Sequence, residues 1–147
     1  MCTSFKVDLL NAVHAFNATG VPAHTASTAD TFKAALYVTT ATVNAATTAY
    51  SATNEVSGTN YTAGGVTVTF GTAPSSTGTT AFITPSASIV YTTVTLSTSF
   101  DAVLIYNSTQ SSKAVSVHTF TAQTVTAGTF TLTMPTNDAT TGLIRLA

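Results

Sequence analysis

Apolar and polar residues alternate along much of this chain with a period of two, a spacing that admits β-strands and little else. In Val66-Thr-Val-Thr-Phe70 the side chains of Val66, Val68 and Phe70 share one face, and Thr67 and Thr69 share the other. Val90, Val94 and Leu96 repeat the pattern against Thr93, Thr95 and Ser97, and so do Phe130, Leu132 and Met134 within Thr129 to Met134. Threonine suits the outward face, because its β-branched carbon fits a pleated backbone while its hydroxyl reaches water. Ala102 to Tyr106 and Leu143 to Leu146 are largely apolar on both faces. Such runs suit strands covered on each side, by an opposite sheet and by another element or subunit.

Further strands are predicted at Thr31 to Thr39, Ala81 to Thr84 and Ala114 to Phe120. Turn chemistry separates them at Gly64-Gly65, Gly71 to Gly78, Pro85, Asn107 to Ser112, Gly128, Pro135 to Asp138 and Gly142. Many short strands with regular punctuation predict an all-β chain, an antiparallel β-sandwich or jelly-roll-like single domain spanning residues 1–147. Phe5, Leu9, Val13 and Phe16 recur at helical spacing, so a short N-terminal helix is expected, followed by an arm over Asn17 to Asp30. Residues 1–30 then form the helix and arm, and 31–147 the β core.

Charge is scarce. The chain has four Lys or Arg and five Asp or Glu, 6% of 147 residues, against roughly 25% in a typical soluble domain. A folded chain of this mass exposes about 7,000 Å², roughly 800 Å² per charge. Neutral residues must cover the rest: 35 Thr, 23 Ala and 14 Ser. Four scattered cations make no basic patch, so nucleic acid is not an expected partner. Leu, Ile, Val and Phe number 34, enough for a core and too many for a disordered chain. Met1 to Ala18 carries Lys6 and Asp8 without a continuous apolar run, so no secretory leader is expected. The charge-free run Val56 to Phe100 is broken by Gly, Pro, Ser and Thr, so no membrane-spanning helix is expected either. The one cysteine, Cys2, excludes an internal disulfide framework.

Catalytic chemistry finds no support. Asp8, Asp30, Glu55, Asp101 and Asp138 are dispersed, and no nucleophile elbow or phosphate loop occurs, so no catalytic residue and no enzyme activity is expected. His14, His24 and His118 lack metal-ligand spacing, so neither metal nor cofactor is expected. Thr-x-Thr occurs eight times, which chance placement of that much threonine also gives (about eight), so it is no ice-binding signature. The glycosylation pattern at Asn17, Asn60 and Asn107 is equally a consequence of composition.

Three blocks resemble the successive segments of small tailed-bacteriophage virion structural proteins. They are Phe5-Lys-Val-Asp-Leu-Leu-Asn11, Asp30-Thr-Phe-Lys-Ala-Ala-Leu-Tyr37, and Thr53-Asn-Glu-Val-Ser-Gly-Thr-Asn-Tyr-Thr-Ala-Gly-Gly-Val66. Ala102 to Asn107, Gly128 to Met134 and Leu143 to Leu146 resemble later strands of the same proteins. The resemblance implies structure rather than chemistry: a virion protein, most concretely a capsid decoration (cement) protein on the capsid exterior, assembled in the bacterial host cytoplasm. Its expected partners are the major capsid protein and itself, as a dimer or trimer. A tail, neck or fibre-base component is the alternative, and a carbohydrate-binding or adhesin-like module is a more distant one.

A neutral hydroxyl surface favours assembly, since it can be buried without desolvating ions. Expected contact residues are Phe5, Leu9, Val13 and Phe16 at the N-terminus, and Val103, Ile105, Leu143 and Leu146 in the two-sided strands. Glu55 stands in an otherwise uncharged region, where it can pair with a cation, cap backbone amides or remain solvated. Gly64-Gly65 is expected to form a turn or bulge that feeds the Val66 strand.

Overall fold

The computed structural model describes residues 2–10, 13, 14, 16 and 29–147, with only the backbone described at 6–8 and 10. Its elements are α1 (Thr3–Leu10), β1 (Phe32–Val38), β2 (Val66–Val68), β3 (Ser75–Thr77), β4 (Thr80–Ile83), β5 (Ile89–Asn107), β6 (Lys113–Leu132) and β7 (Ile144–Leu146). A four-stranded sheet runs β2-β1-β5-β6 and a three-stranded sheet runs β3-β4-β7. Every pairing is antiparallel. The chain is all-β and sandwich-like, as its period-two pattern predicts.

The centre of the molecule is the β1–β5–β6 array. Ala102 to Asn107 is buried throughout, because β1 and β6 flank it while side chains of the same chain cover both faces. Leu36, Phe100, Leu104 and Val115 are fully buried there and belong to one continuous hydrophobic cluster. Val103 and Ile105 are only 2% and 1% exposed. The expectation that they meet another subunit is therefore corrected: the chain itself fills the space a partner was expected to occupy.

The long strands correct the sequence reading in a second way. The segments expected at 89–96 and 102–106 form one strand of 19 residues, and those at 114–120 and 129–134 merge into one of 20. No proline interrupts either; Ser97 to Ser99 fall within a register shift, and Gly128, read as turn punctuation, pairs with Val94 between two shifts. Phe120 and Phe130 would stand about 33 Å apart on a straight strand, yet their rings are 5.4 Å apart, and both contact Phe100. The β5–β6 ribbon thus folds back on itself at its bulges, as strands do where they turn a sandwich corner.

These bulges also flip a face. Thr93 takes φ 53°, within the shift between Tyr91 and Val94. Ile89, Tyr91, Val94 and Leu96 point inward, while Val90 is 39% exposed. Strict alternation had placed Val90 inward with Val94, and the extra residue at the bulge reverses that parity. Helical spacing likewise overreached: α1 ends at Leu10, and Val13 and Phe16 lie beyond it. The short strand β3 falls within the predicted Gly71 to Gly78 turn. Residues 17–28, with His24 and most of the expected arm, lie outside the described residues.

Gly65 locks the edge of β1. It takes φ 74°, and a Cβ there would lie 1.6 Å from the Ala34 carbonyl oxygen. Gly78 takes φ 59° with open space around it. Gly65→Ala is expected to cost more than about 3 kcal/mol and Gly78→Ala about 1 kcal/mol. Urea denaturation of the two variants measures the contrast, and equal losses would refute the close-packing argument.

Candidate functional site

The most specific block of the sequence, Thr53 to Val66, wraps the outer edge of β1. β2 pairs only with Phe32 to Ala34. Beyond that point Val56 N–H donates to the Leu36 carbonyl at 3.0 Å, and Val38 N–H donates to the Asn54 carbonyl at 3.1 Å. Between these two supports the ladder is completed by side chains. Leu36 N–H donates to the Tyr61 hydroxyl at 3.0 Å, and the Tyr91 hydroxyl donates to the Ala34 carbonyl at 2.8 Å.

Glu55 organises this clasp. Its carboxylate accepts from the Tyr50 hydroxyl at 2.6 Å, the Tyr61 hydroxyl at 2.8 Å and the Gly64 amide at 2.8 Å. Of the roles open to it, amide capping is realised, with two phenols added. Tyr106 donates to the Gly64 carbonyl at 2.8 Å and stacks on Tyr50 at 4.6 Å. Tyr37 donates to the Ser51 carbonyl at 2.6 Å, and Tyr61 stacks on Tyr91 at 5.9 Å. All five tyrosines of the chain thus surround one carboxylate. Burial raises the pKa of Tyr37, Tyr50, Tyr61 and Tyr91, and the Glu55 charge raises each further. Tyr106 is pushed up to about 12 by the same causes. With every phenol protonated and engaged, the cluster is a fastener rather than a reactive centre.

A second feature is a small apolar groove of about 90 Å³ between the N-terminal residues Phe5, Leu9 and Phe16 and the small-sheet residues Phe82, Ile144 and Leu146. The N-terminal wall is held by the core. Cys2 N–H donates to the Val115 carbonyl at 3.0 Å, Phe16 stacks on Phe32 at 4.7 Å, and Phe5 is fully buried. Asn107, also fully buried, donates to Asp30 at 2.7 Å and lies 3.0 Å from His14 Nδ1, while its own oxygen caps the amides of Thr109 and Gln110. Across the groove, β4 pairs with β7, which aligns Ala81 with Leu146 and Ile83 with Ile144. Leu146 is 41% exposed at the rim.

Phe5, Leu9, Phe16 and Leu146, all sequence-flagged contact residues, therefore line one groove. Phe5 is nevertheless fully buried and, like Val103 and Ile105, is corrected to a core residue. Val13 and Leu143 are half-buried and lie outside its lining, and Val103 and Ile105 belong to the core. Pro74 and the predicted strand residues Ala81, Phe82, Ile83 and Ile144, none of them flagged as contacts, complete the lining. Small-molecule sites usually enclose about 300–1,000 Å³, so a groove of this size suits a single aliphatic side chain.

His118 Nε2 lies 2.9 Å from Ser116 Oγ. Ser116 is 1% exposed, so its hydroxyl cannot meet a substrate, and burial holds the His118 pKa below its ordinary value. Among the described residues no three His, Cys, Asp or Glu side chains gather as a metal site, and no helix is long and apolar enough to cross a membrane.

The tyrosine cluster dictates a pH dependence. Unfolded tyrosines ionise near 10.0, whereas the folded ones retain their protons to higher pH. The folded state then binds more protons than the unfolded state, so this contribution is complete below pH about 10 and is lost as pH rises above it. Tyrosinate absorbance is expected to appear cooperatively with unfolding rather than as five independent titrations. Tyr61→Phe, which strips Leu36 N–H of its acceptor, is expected to cost about 1–3 kcal/mol. Early, gradual tyrosinate formation in the folded protein would contradict the clasp. The chain matches no protein-family model, no curated protein and no solved structure.

Proposed function

We propose that this chain is a structural protein of a tailed-bacteriophage virion, most concretely a decoration protein on the outside of the major capsid shell. The carrying observation is the apolar groove, which can receive a side chain but contains no chemistry. It opens on a chain with nine charged residues in 147 and 7504 Å² of accessible surface. Such a surface is suited to being covered: threonine and serine hydroxyls form wet contacts without stripping water from ions. The phage-like blocks support the same reading, and the Thr53 to Val66 block would specify the clasp in any relative that shares it.

In this role each copy seats an apolar side chain of the major capsid protein between Leu9 and Leu146 and lays neutral surface across neighbouring capsomers. Stabilisation is by mass action, since a ligand that binds only the assembled shell favours that shell. Many modest contacts add through multivalency. The site of action is the capsid exterior, with assembly in the host cytoplasm.

Expanded capsids lacking this protein provide the test. Added protein is expected to bind in many copies over the shell and to raise the temperature at which the shell disassembles. Leu146→Asp is expected to weaken binding at least about tenfold, corresponding to roughly 1.4 kcal/mol, while leaving the protein's own melting temperature close to wild type. Failure of the wild type to bind, or undiminished binding by Leu146→Asp, refutes the proposal. A single ring of copies per particle points instead to a neck or tail position.

A further inference from the structure

The sheet edges of this fold are unequal. β2, β3 and β7 each have three residues, and short edges offer little to an incoming strand. β6 forms a long edge of 20 residues, and residues 89–99 of β5, which β1 does not reach, form another that Thr59 bridges at Thr95. The first residues of β6 are covered. Ala114 N–H donates to the Thr48 carbonyl, the Val115 carbonyl accepts from Cys2 N–H, and Ala49 bridges to Lys113. Past Val115, among the described residues, no other strand hydrogen-bonds to the outer side of β6.

Open edges usually carry a lysine, a proline or an inward charge that blocks edge-to-edge pairing. From Ala114 to Met134 there is no Lys, Arg, Asp, Glu or Pro. Two local devices are present farther along. Gln123 donates to the Thr121 carbonyl at 3.0 Å, and Ala127 takes φ 46° in a bulge whose amide bonds to Thr95 Oγ1. Both lie beyond Thr119 and leave the stretch just after Val115 untouched. The Val115 carbonyl points outward, so strand alternation directs the N–H and C=O groups of Val117 and Thr119 outward as well. Nearby, Val117 and Phe120 are only half covered by the core.

We infer that this edge is a self-association surface, and that its occupant is the same stretch of β6 from a second copy, paired antiparallel. A strand free of charge meets no like-charge repulsion from its own copy. A two-fold axis beside His118 would place Val117 of one copy opposite Thr119 of the other, short of the register shift that follows Thr119. That gives β-branched pairs of the kind that stabilise antiparallel ladders. A foreign strand could satisfy the same backbone groups. The second copy is the occupant whose side-chain neutrality is guaranteed, and the stretch just after Val115 carries no device against it. The inference does not depend on the capsid role: a monomer that binds capsids would refute it and leave that role intact.

Hydrogen exchange over a concentration series tests it on the unmodified chain. The amides of Val117 and Thr119 are expected to become protected as the protein associates, while those of β3 remain unchanged. Sedimentation is expected to show a dimer whose dissociation constant rises at least about tenfold in Thr119→Lys, which sets a charge opposite Val117 and two like charges diagonally across the ladder. Thr77→Lys on β3 is expected to leave it unchanged. A wild type that stays monomeric overturns the inference, as does a dimer without protection at Val117 and Thr119. Protection that appears only on capsid binding overturns it too, since the occupant is then a capsid strand.

Discussion

The outer edge of β1 is the constraint on which the rest of the structure depends. A central strand needs both ladders satisfied, and β2 is too short to close more than half of this one. The chain closes the remainder with a strap, Asn54 to Val56, and with tyrosine hydroxyls. Glu55 aligns those hydroxyls, since a carboxylate that accepts several bonds orients its donors and strengthens each of them. If the clasp opens, Leu36 and Ala34 lose buried hydrogen bonds beside the most deeply packed strand. Tyr91 ties the same edge to the folded-back half of β5, so the clasp also sets how the ribbon turns its corner.

This arrangement explains how a chain with so few charges folds to one structure. Ion pairs and charged edges are the usual specificity devices, and they are scarce here. Specificity comes instead from buried hydroxyls that each have one correct partner, from glycines where backbone meets backbone, and from an aromatic cluster. Phe16 against Phe32 and Phe32 against Phe70 fasten the N-terminal residues to β1. Asn107 does the same in polar form, joining the β5–β6 turn to Asp30. Rigid placement of the N-terminus gives the groove its fixed wall.

The sequence showed its strands through alternation, and it did so wherever the backbone stays regular. Val66 to Val68 was recoverable from the alternation, and Phe32 to Val38 and Ile144 to Leu146 from apolar runs between turn residues. Alternation failed at the bulges, because one inserted residue reverses which side chains are inward; Val90 shows this against Tyr91. Merged strands were hidden for a related reason, since Gly128 is a turn residue by composition and a ladder residue, paired with Val94 beside a bulge, by context. Half of the groove was readable, as apolar residues at Phe5, Leu9, Phe16 and Leu146 with no assigned core partner. Phe82 could not be paired with them until β4 was paired with β7. The clasp left one trace, a lone carboxylate between Tyr50 and Tyr61 at the start of a charge-free run.

The scarcity of charge acts differently on the groove and on the edge. At the groove it lowers the cost of covering the rim, because the surrounding threonine and serine hydroxyls remain adequately solvated by interfacial water. At the β6 edge it removes the protection that ordinarily keeps strands apart. A chain selected only to remain a dispersed monomer would gain from a single lysine near Thr119, where the side chain is exposed and the substitution disturbs no packing. β2, β3 and β7 are guarded by their brevity, whereas β6 is long and neutral and is open just past Val115. That contrast within one fold is difficult to attribute to composition, which these edges share.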